Sequence, residues 1–374
     1  MMDEDTKAKS ADDADALIDD ETDAEKSVPL EAYEISFYGA DYPVDGIVKR
    51  LKQKNIIIPR VGEEFGNKNP GFQRPFVWST AQSDKFIESL LMGLPVPGIF
   101  LSKTETNELL VLDGQQRLLT LKSFCDENRQ LGRSVQEKYQ KKTYEDLTIM
   151  EKRRLDDSII HATIIRQESP RGNDSVYYIF ERLNSGGRQL TPQQIRMALY
   201  HGAFANLLAK LNENDIWRKL IRQNTTDLAF KGFKDIEMIL RFFALFYNSD
   251  KYKNPMQGFL NKFMEEHRNI KVSEQKRFNR LFCETVEYIS QFIGEDAFCG
   301  RGKKPSAAIV DSLMFGVAKG LKSGIADLST QEVKRVVDAM LDNKEYQSAI
   351  GERTSLAKHV EQRLNLSERA FCHR

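Results

Sequence analysis

Five consecutive residues bring together side chains that can bind and hydrolyse a phosphate ester: Asp113, Gly114, Gln115, Gln116 and Arg117. They follow the apolar run LLVL and precede LLTL, so the pattern predicts a buried strand, a glycine turn and an amphipathic helix. The first N–H groups of such a helix lack intrahelical acceptors, and the helix dipole makes this end electropositive. The turn is therefore expected to attract anions, and phosphate in particular.

Each of these residues suits nucleotide chemistry. Gly114 lets the backbone approach a ligand closely, and Arg117, one turn into the helix, can offer two N–H groups to phosphate oxygens. Asp113 could hold Mg²⁺, while Gln115 and Gln116 can orient water or phosphate. We therefore predict a site for a nucleoside triphosphate with Mg²⁺. The alternative is an ordinary turn with Asp113 as N-cap and Arg117 as a surface cation, because no GxxxxGK[ST] pattern occurs.

The flanking elements indicate a small α/β domain. The strand candidates are NIIIPR, GIFLSK, ELLVLD and SIIHATIIRQ, and the helix candidate AQSDKFIESLLMG is capped by Ser79 or Thr80. After Pro170 the signals are almost all helical, and Thr191 with Pro192 opens one of these helices. We predict an α+β protein with an acidic tail over 1–28, an α/β domain over 29–170 and an all-helical domain over 171–374.

The net charge of zero conceals an asymmetry. Residues 1–28 hold eleven Asp and Glu against three Lys, a net charge of −8, so the rest of the chain carries +8. A tail without aromatic residues cannot bury enough surface to offset chain entropy, so we expect it to be disordered. Two roles stay open for it: solubility, or mimicry of nucleic acid that covers a basic surface.

Composition also argues against several classes of protein. No apolar run approaches the roughly 18 residues of a membrane span, and the N-terminus does not resemble a signal peptide, so we expect a cytoplasmic protein without membrane contact. The four cysteines lie far apart without CxxC, which predicts neither disulfides nor a zinc site. The five histidines lack the spacing of an HNH nuclease. We predict that His161, which lies in a strand, is buried in the protein core and is not a metal ligand.

Three motifs in this order resemble a known family. QRPFVW contains Gln73 and Arg74, VLDGQQRLLTL contains the turn, and IFERLNSGG contains Phe180 and Asn184. Over residues 40 to 205 the chain resembles the N-terminal domain family of GmrSD-type modification-dependent restriction systems. That family is similar to the ParB and sulfiredoxin nucleotide-binding fold, which implies a ParB/sulfiredoxin-like α/β domain here.

The resemblance implies roles for the matching positions. Nucleotide binding would fall to Gln73, Arg74, Gly114, Arg117 and Asn184. Catalysis would fall to Asp113, Gln115, Gln116 and Arg117, with Asp113 on the metal. Members of the family couple triphosphate hydrolysis to restriction of phage DNA with modified bases or backbone. Because no HNH nuclease is expected on this chain, a separate nuclease partner is predicted, with a ParB-like nuclease in the α/β domain as an alternative.

Basic clusters make DNA, in modified form, the expected macromolecular partner. The loop GRGKKP places Arg301, Lys303 and Lys304 where their charges could meet a phosphate backbone, although a solvated surface would look the same. Two functions of different classes remain open: an NTP-hydrolysing sensor of a restriction or phage-defence system, and a non-catalytic DNA-binding adaptor. The sequence leaves homo-oligomerisation open.

Overall fold

The structure is a computed structural model that describes residues 34–58, 78–103, 107–169, 174–183, 191–222, 233–302, 304–325, 328–351 and 353–372. The acidic tail and the site candidates Gln73, Arg74, Asn184 and Lys303 lie outside these ranges. Contacts divide the chain into two compact units. The described residues up to Leu183 belong to one unit, and those from Thr191 belong to the other.

The first unit is a mixed α/β domain, as predicted. Its described elements, in chain order, are β1 Glu34–Pro43, α1 Val44–Lys52, β2 Ile56–Ile57, α2 Thr80–Leu91, β3 Ile99–Lys103, β4 Leu109–Asp113, α3 Gln115–Cys125, α4 Ile149–Asp156, β5 Ile159–Ser169 and α5 Asp174–Leu183. The strand candidates GIFLSK and ELLVLD form β3 and β4, which pair in antiparallel orientation. Ser79 caps α2 through a capping box, so the first of the two predicted caps is the one used.

Five strands form one sheet in the order β1-β5-β3-β4-β2. β5 runs antiparallel to the edge strand β1 and parallel to β3, while β2 is a short parallel partner of β4. The ends of β4 and β1 and the beginnings of β3 and β5 therefore meet at one end of the sheet. This end of the sheet is where α3 begins.

The two faces of the sheet are covered differently. Alternate residues of the central strands, such as Leu101, Val111 and Ile164, join the core that α1 to α4 form on one face. Leu110 and Leu112 point to the opposite face, where they are also buried. α5 contacts β4 and β5 but shares no residue with that core, so it packs on this second face. α5 thus belongs to the sheet-containing unit although it follows residue 170, where the sequence pattern changes.

A long connection between α3 and α4 is anchored to α2 by two buried carboxylates. Asp84 is fully buried and accepts hydrogen bonds from Arg129 Nη1 at 2.7 Å and from the Gly132 N–H at 2.8 Å. Glu88, one turn later, accepts from the Gln136 N–H at 2.6 Å. Because buried carboxylates are costly unless they are bonded, these contacts fix the connection against the helix that precedes β3.

The second unit is helical throughout its described residues, again as predicted. Its helices are α6 Pro192–Leu199, α7 Ala203–Leu211, α8 Asp215–Leu220, α9 Lys234–Asn248, α10 Met256–Glu266, α11 Val272–Tyr288, α12 Ala307–Lys322, α13 Thr330–Asp342, α14 Lys344–Gly351 and α15 Ala357–Cys372. Thr191 and Pro192 open α6 with a capping box and proline in its first turn, which confirms the sequence interpretation. Among the described residues, no helix combines the length and apolar character needed to cross a membrane.

A buried ionic cluster ties three helices of this unit together. Asp311 on α12 is fully buried and accepts from Arg241 Nη2 on α9 and from Arg363 Nη2 on α15, each at 2.8 Å. Burial acts to raise the pKa of the Asp311 carboxyl, but the attraction of the two guanidinium groups outweighs burial and lowers this pKa. The carboxylate is therefore the ionised partner on which both buried cations depend.

We expect the substitution Asp311→Asn to lower the free energy of unfolding by about 3–5 kcal/mol, because it leaves two buried cations without their counter-ion. Since the pKa is lowered in the folded state, the contribution of Asp311 is present above its unfolded pKa and is lost as the pH falls through the folded pKa. Chemical denaturation checks this, with Asp342→Asn as the control, since Asp342 is 68% exposed in its pair with Arg301. Equal stabilities of the two variants would contradict the prediction.

Candidate functional site

The predicted turn lies between two well-packed elements. β4 ends at Asp113, Gly114 adopts a left-handed backbone conformation with φ 98° and ψ 9°, and α3 begins at Gln115. A Cβ atom on Gly114 would stand 3.0 Å from Ile99 Cβ and would overlap the Ile99 side chain more severely still. Glycine is therefore required here for two reasons, its backbone conformation and the close approach of β3.

The N-terminus of α3 carries no side-chain cap, unlike several other helices of the chain. Ser79, Thr148, Thr191 and Ser329 each cap a helix through a capping box, whereas no side-chain hydrogen bond caps α3 at Gly114. The interpretation of Asp113 as N-cap is therefore wrong. The positive dipole end of α3 lies at this half-buried turn, where it would attract an anion.

Arg117 does not lie on the surface as a free cation. Its Nη2 donates to Asp113 Oδ2 at 2.6 Å and to the carbonyl oxygen of Gly98 at 2.9 Å. The Arg117 side chain is 14% exposed and that of Asp113 is 51% exposed. The Nε–H of Arg117 is buried without a hydrogen-bond acceptor among the described residues. The guanidinium group is thus held at the end of the sheet, beside the first turn of α3.

The two glutamines of the turn are half-buried, and Gln116 links α3 to the beginning of α2. Its Oε1 accepts from the Trp78 N–H at 3.3 Å, and its carbonyl accepts from Thr120 Oγ1 at 2.7 Å. The Trp78 ring packs edge-on against Phe86 of α2, with ring centroids 5.5 Å apart. Trp78 is the last residue of the QRPFVW motif and the first residue that the structure describes after Ile58. The end of this motif therefore lies beside the DGQQR turn.

α5 approaches the same strand from the opposite face of the sheet. It begins soon after the end of β5 and contacts both β5 and β4, so it has to run back over the sheet toward the end where α3 begins. Phe180, of the FxxxN motif, is 2% exposed and serves to pack α5. Asn184 follows the last residue of α5 and lies outside the described residues.

The prediction that His161 lies in the core is wrong. The side chain is 73% exposed, and its Nδ1 lies 2.6 Å from Oδ1 of Asp41 on the neighbouring strand β1. The strand alternation contained the necessary signal. Ile160, Ala162 and Ile164 face the core at a period of two, which places His161 on the other face. His161 and Asp41 lie at the same end of the sheet as Asp113.

The residues predicted to contact a metal ion or DNA have fewer organised partners than the residues of the turn. Among the described residues, no group of three or more His, Cys, Asp or Glu side chains could hold a metal ion, so Asp113 stands as a single carboxylate. In the second unit, Arg301 donates to Asp342 at 2.6 Å and lies 3.5 Å from Asp338, and its side chain is 54% exposed. Lys304 is exposed on the same loop.

The geometry defines an α/β domain in which a left-handed glycine joins β4 directly to α3. Residues 51–201 match the family described as the GmrSD restriction endonuclease, N-terminal domain, so this segment is similar to that family. The match indicates a component of a restriction or defence system. It covers the DGQQR turn in the first unit and extends through α6 of the second. Comparisons with curated proteins and with solved structures gave no match.

We expect Gly114→Ala to lower the free energy of unfolding by about 2–5 kcal/mol, as left-handed strain adds to overpacking against Ile99. Gly93→Ala is the matched control, because Gly93 has φ +73° but nothing lies within 4 Å of the place that an added Cβ atom would occupy. In the Gly93→Ala variant, backbone strain should lower the free energy of unfolding by only about 1–2 kcal/mol. Denaturant unfolding measures both, and equal losses would mean that the approach of β3 does not constrain this turn.

Proposed function

We propose that the chain is the nucleotide-binding, NTP-hydrolysing sensor of a restriction or anti-phage defence system. The observation that carries the proposal is the uncapped N-terminus of α3, which the left-handed Gly114 opens and which Asp113 and Arg117 flank. A helix end of this kind favours phosphate. The match of residues 51–201 to a restriction endonuclease domain supports the biological setting.

The Asp113–Arg117 ion pair provides a way to couple binding to rearrangement. The phosphates of a nucleotide would take over the guanidinium of Arg117, while Asp113 would be released to hold Mg²⁺. A single carboxylate fits this metal, because Mg²⁺ at nucleotide sites is bound by one or two carboxylates together with water and phosphate oxygens. Since Asp113 is half-exposed, its pair with Arg117 is weak enough to exchange.

The remaining residues of the site have distinct parts. Gln115 and Gln116 are placed in the first turn of α3 to orient water or a phosphate oxygen, and Arg74 and Gln73 add donors from the QRPF motif. The Trp78 N–H, four residues after Arg74 in the sequence, is bonded to Gln116. Asn184, which follows α5 in the sequence, would add an amide.

We further propose that this component acts in the cytoplasm on modified DNA together with a separate nuclease subunit. The basic loop with Arg301, Lys303 and Lys304 would supply phosphate contacts. The pairs of Arg301 with Asp338 and Asp342 are exposed to solvent and therefore weak, so DNA phosphates could replace those carboxylates. The net charge of +8 outside the acidic tail favours such a polyanionic partner.

The first experiment measures nucleotide binding and phosphate release. With Mg²⁺ present, ATP or GTP should raise the Tm of the wild-type protein. Arg117→Ala should weaken binding about 10- to 100-fold, because a charge-assisted hydrogen bond contributes about 1.5–3 kcal/mol. Asp113→Asn should slow phosphate release more than it weakens binding.

Lys122→Ala is the matched control, since Lys122 lies on the same helix and pairs with Glu127 rather than with the turn. The Tm of each variant without nucleotide shows whether its fold is intact. Nucleotide affinity of the Arg117 variant equal to that of wild type and of the Lys122 control would remove the phosphate site from the turn.

A non-catalytic adaptor is the second candidate, and one observation favours it. Arg117 is already bonded to Asp113 and to the Gly98 carbonyl, so the turn is stable as a structural unit without a ligand. An adaptor would bind nucleotide or a DNA phosphate without releasing phosphate. Binding without turnover, in the presence and absence of DNA, would therefore decide for the adaptor.

We expect the double variant Arg301→Ala/Lys304→Ala to weaken DNA binding uniformly across sequences and to reduce the slope of log K against log salt by about 2. Lys334→Ala/Arg335→Ala removes one lysine and one arginine from the exposed face of α13 and serves as the charge-matched control. Filter binding or fluorescence anisotropy at several salt concentrations measures the slopes. Equal slopes for the two double variants would exclude the loop as a DNA contact.

A further inference from the structure

The pair formed by Asp41 and His161 has the geometry of an oriented base. The two residues lie directly opposite each other on β1 and β5, and Asp41 Oδ1 engages His161 Nδ1 at 2.6 Å. When a carboxylate fixes one ring nitrogen of a histidine, the other nitrogen is left to accept a proton. The His161 side chain is 73% exposed, so water and a ligand can reach its Nε2.

Gly98 connects this pair to the candidate nucleotide site. Ile99 is aligned with Ala162 where β3 runs beside β5, which places Gly98 next to His161. A Cβ atom on Gly98 would stand 2.7 Å from the His161 carbonyl oxygen, and the Gly98 carbonyl accepts the hydrogen bond from Arg117. Asp113 is aligned with Phe100, two residues along β3 from Gly98, so two strand spacings and two residues of rise, about 12 Å in all, separate the Cα atoms of His161 and Asp113, a span that one nucleoside triphosphate can bridge.

In the DGQQR turn, no residue is suited to accept the proton of the attacking water. Gln115 and Gln116 can orient water but cannot take up its proton at neutral pH. Asp113 is engaged by Arg117 and, in the proposed function, by Mg²⁺. The DGQQR turn thus offers no residue to take up the proton of the attacking water, and His161 lies at the same end of the sheet.

We propose that His161, oriented by Asp41, is the general base of triphosphate hydrolysis, an inference that rests on the proposed function. The water oxygen bonds to the γ-phosphorus while one water proton passes to His161 Nε2. The bond between the γ-phosphorus and the bridging oxygen breaks, and its electron pair leaves with the nucleoside diphosphate. The proton on His161 then returns to solvent, so that water and triphosphate are the only reactants.

The pair is not needed to hold β1 in the sheet. β1 and β5 are aligned from Glu34 to Pro43, a ladder of backbone contacts to which an exposed side-chain pair adds little. The removal of the imidazole should therefore leave the fold intact, which allows a direct test by substitution.

The test compares His161→Ala with wild type in phosphate release from Mg·ATP and Mg·GTP. We expect kcat to fall about 100-fold or more, while nucleotide affinity and Tm stay unchanged. Added imidazole should restore part of the lost turnover, because the exposed position leaves room for the free base. Asp41→Asn should lower kcat by a smaller factor, since His161 is then present but poorly oriented.

His359→Ala, in α15 of the other unit, is the control and should match wild type with and without imidazole. A kcat of His161→Ala equal to that of wild type, or a fall that imidazole does not reverse, would overturn the role of His161 while leaving the proposed hydrolysis standing. If the wild-type protein itself releases no phosphate, the proposed function fails, and the role of His161 fails with it.

Discussion

The approach of β3 to the end of β4 is the constraint on which the candidate site depends. Two glycines make it possible: Gly114 leaves room for Ile99, and Gly98 packs against the backbone of His161. Arg117 closes the junction, because its Nη2 bonds both to Asp113 and to the Gly98 carbonyl. Three strands and the beginning of α3 are thereby fixed to one another, and the polar side chains of the turn remain only partly exposed.

The helical unit is stabilised differently. Its core includes a fully buried carboxylate, Asp311, that neutralises Arg241 and Arg363 from two other helices. Such a cluster costs desolvation, which favourable geometry repays only in part, so its value lies in fixing which helices meet. This arrangement provides a rigid helical frame for the loop that carries Arg301 and Lys304.

Local sequence signals predicted much of the fold. The pattern around LLVLDGQQRLLTL specified strand, turn and helix, and Thr191 with Pro192 specified the beginning of α6, because each signal arises within a few neighbouring residues. β1 and α1 were not predicted as elements. β1, EISFYGADYP, lacks a clean alternation, and it is held mainly by its pairing with β5, more than a hundred residues later in the chain.

Long-range contacts also limited what could be predicted of the site. The bond from Arg117 to Gly98, the link between Gln116 and Trp78, and the pair of Asp41 with His161 join residues that local spacing does not relate. The family resemblance, by contrast, depended on ordered motifs, and the match over residues 51–201 confirmed it.

The beginning of α3 differs from the capped helix ends of this chain in the charged groups that flank it. Helices α2, α4, α6 and α13 begin with capping boxes, and loss of such a cap typically costs about 1 kcal/mol. α3 lacks a side-chain cap, as α1, α7, α9, α10 and α12 also do, but it places a half-exposed carboxylate beside an arginine whose buried Nε–H has no acceptor among the described residues. An anion bound at this end would meet the positive end of the helix dipole and would offer an acceptor to that Nε–H.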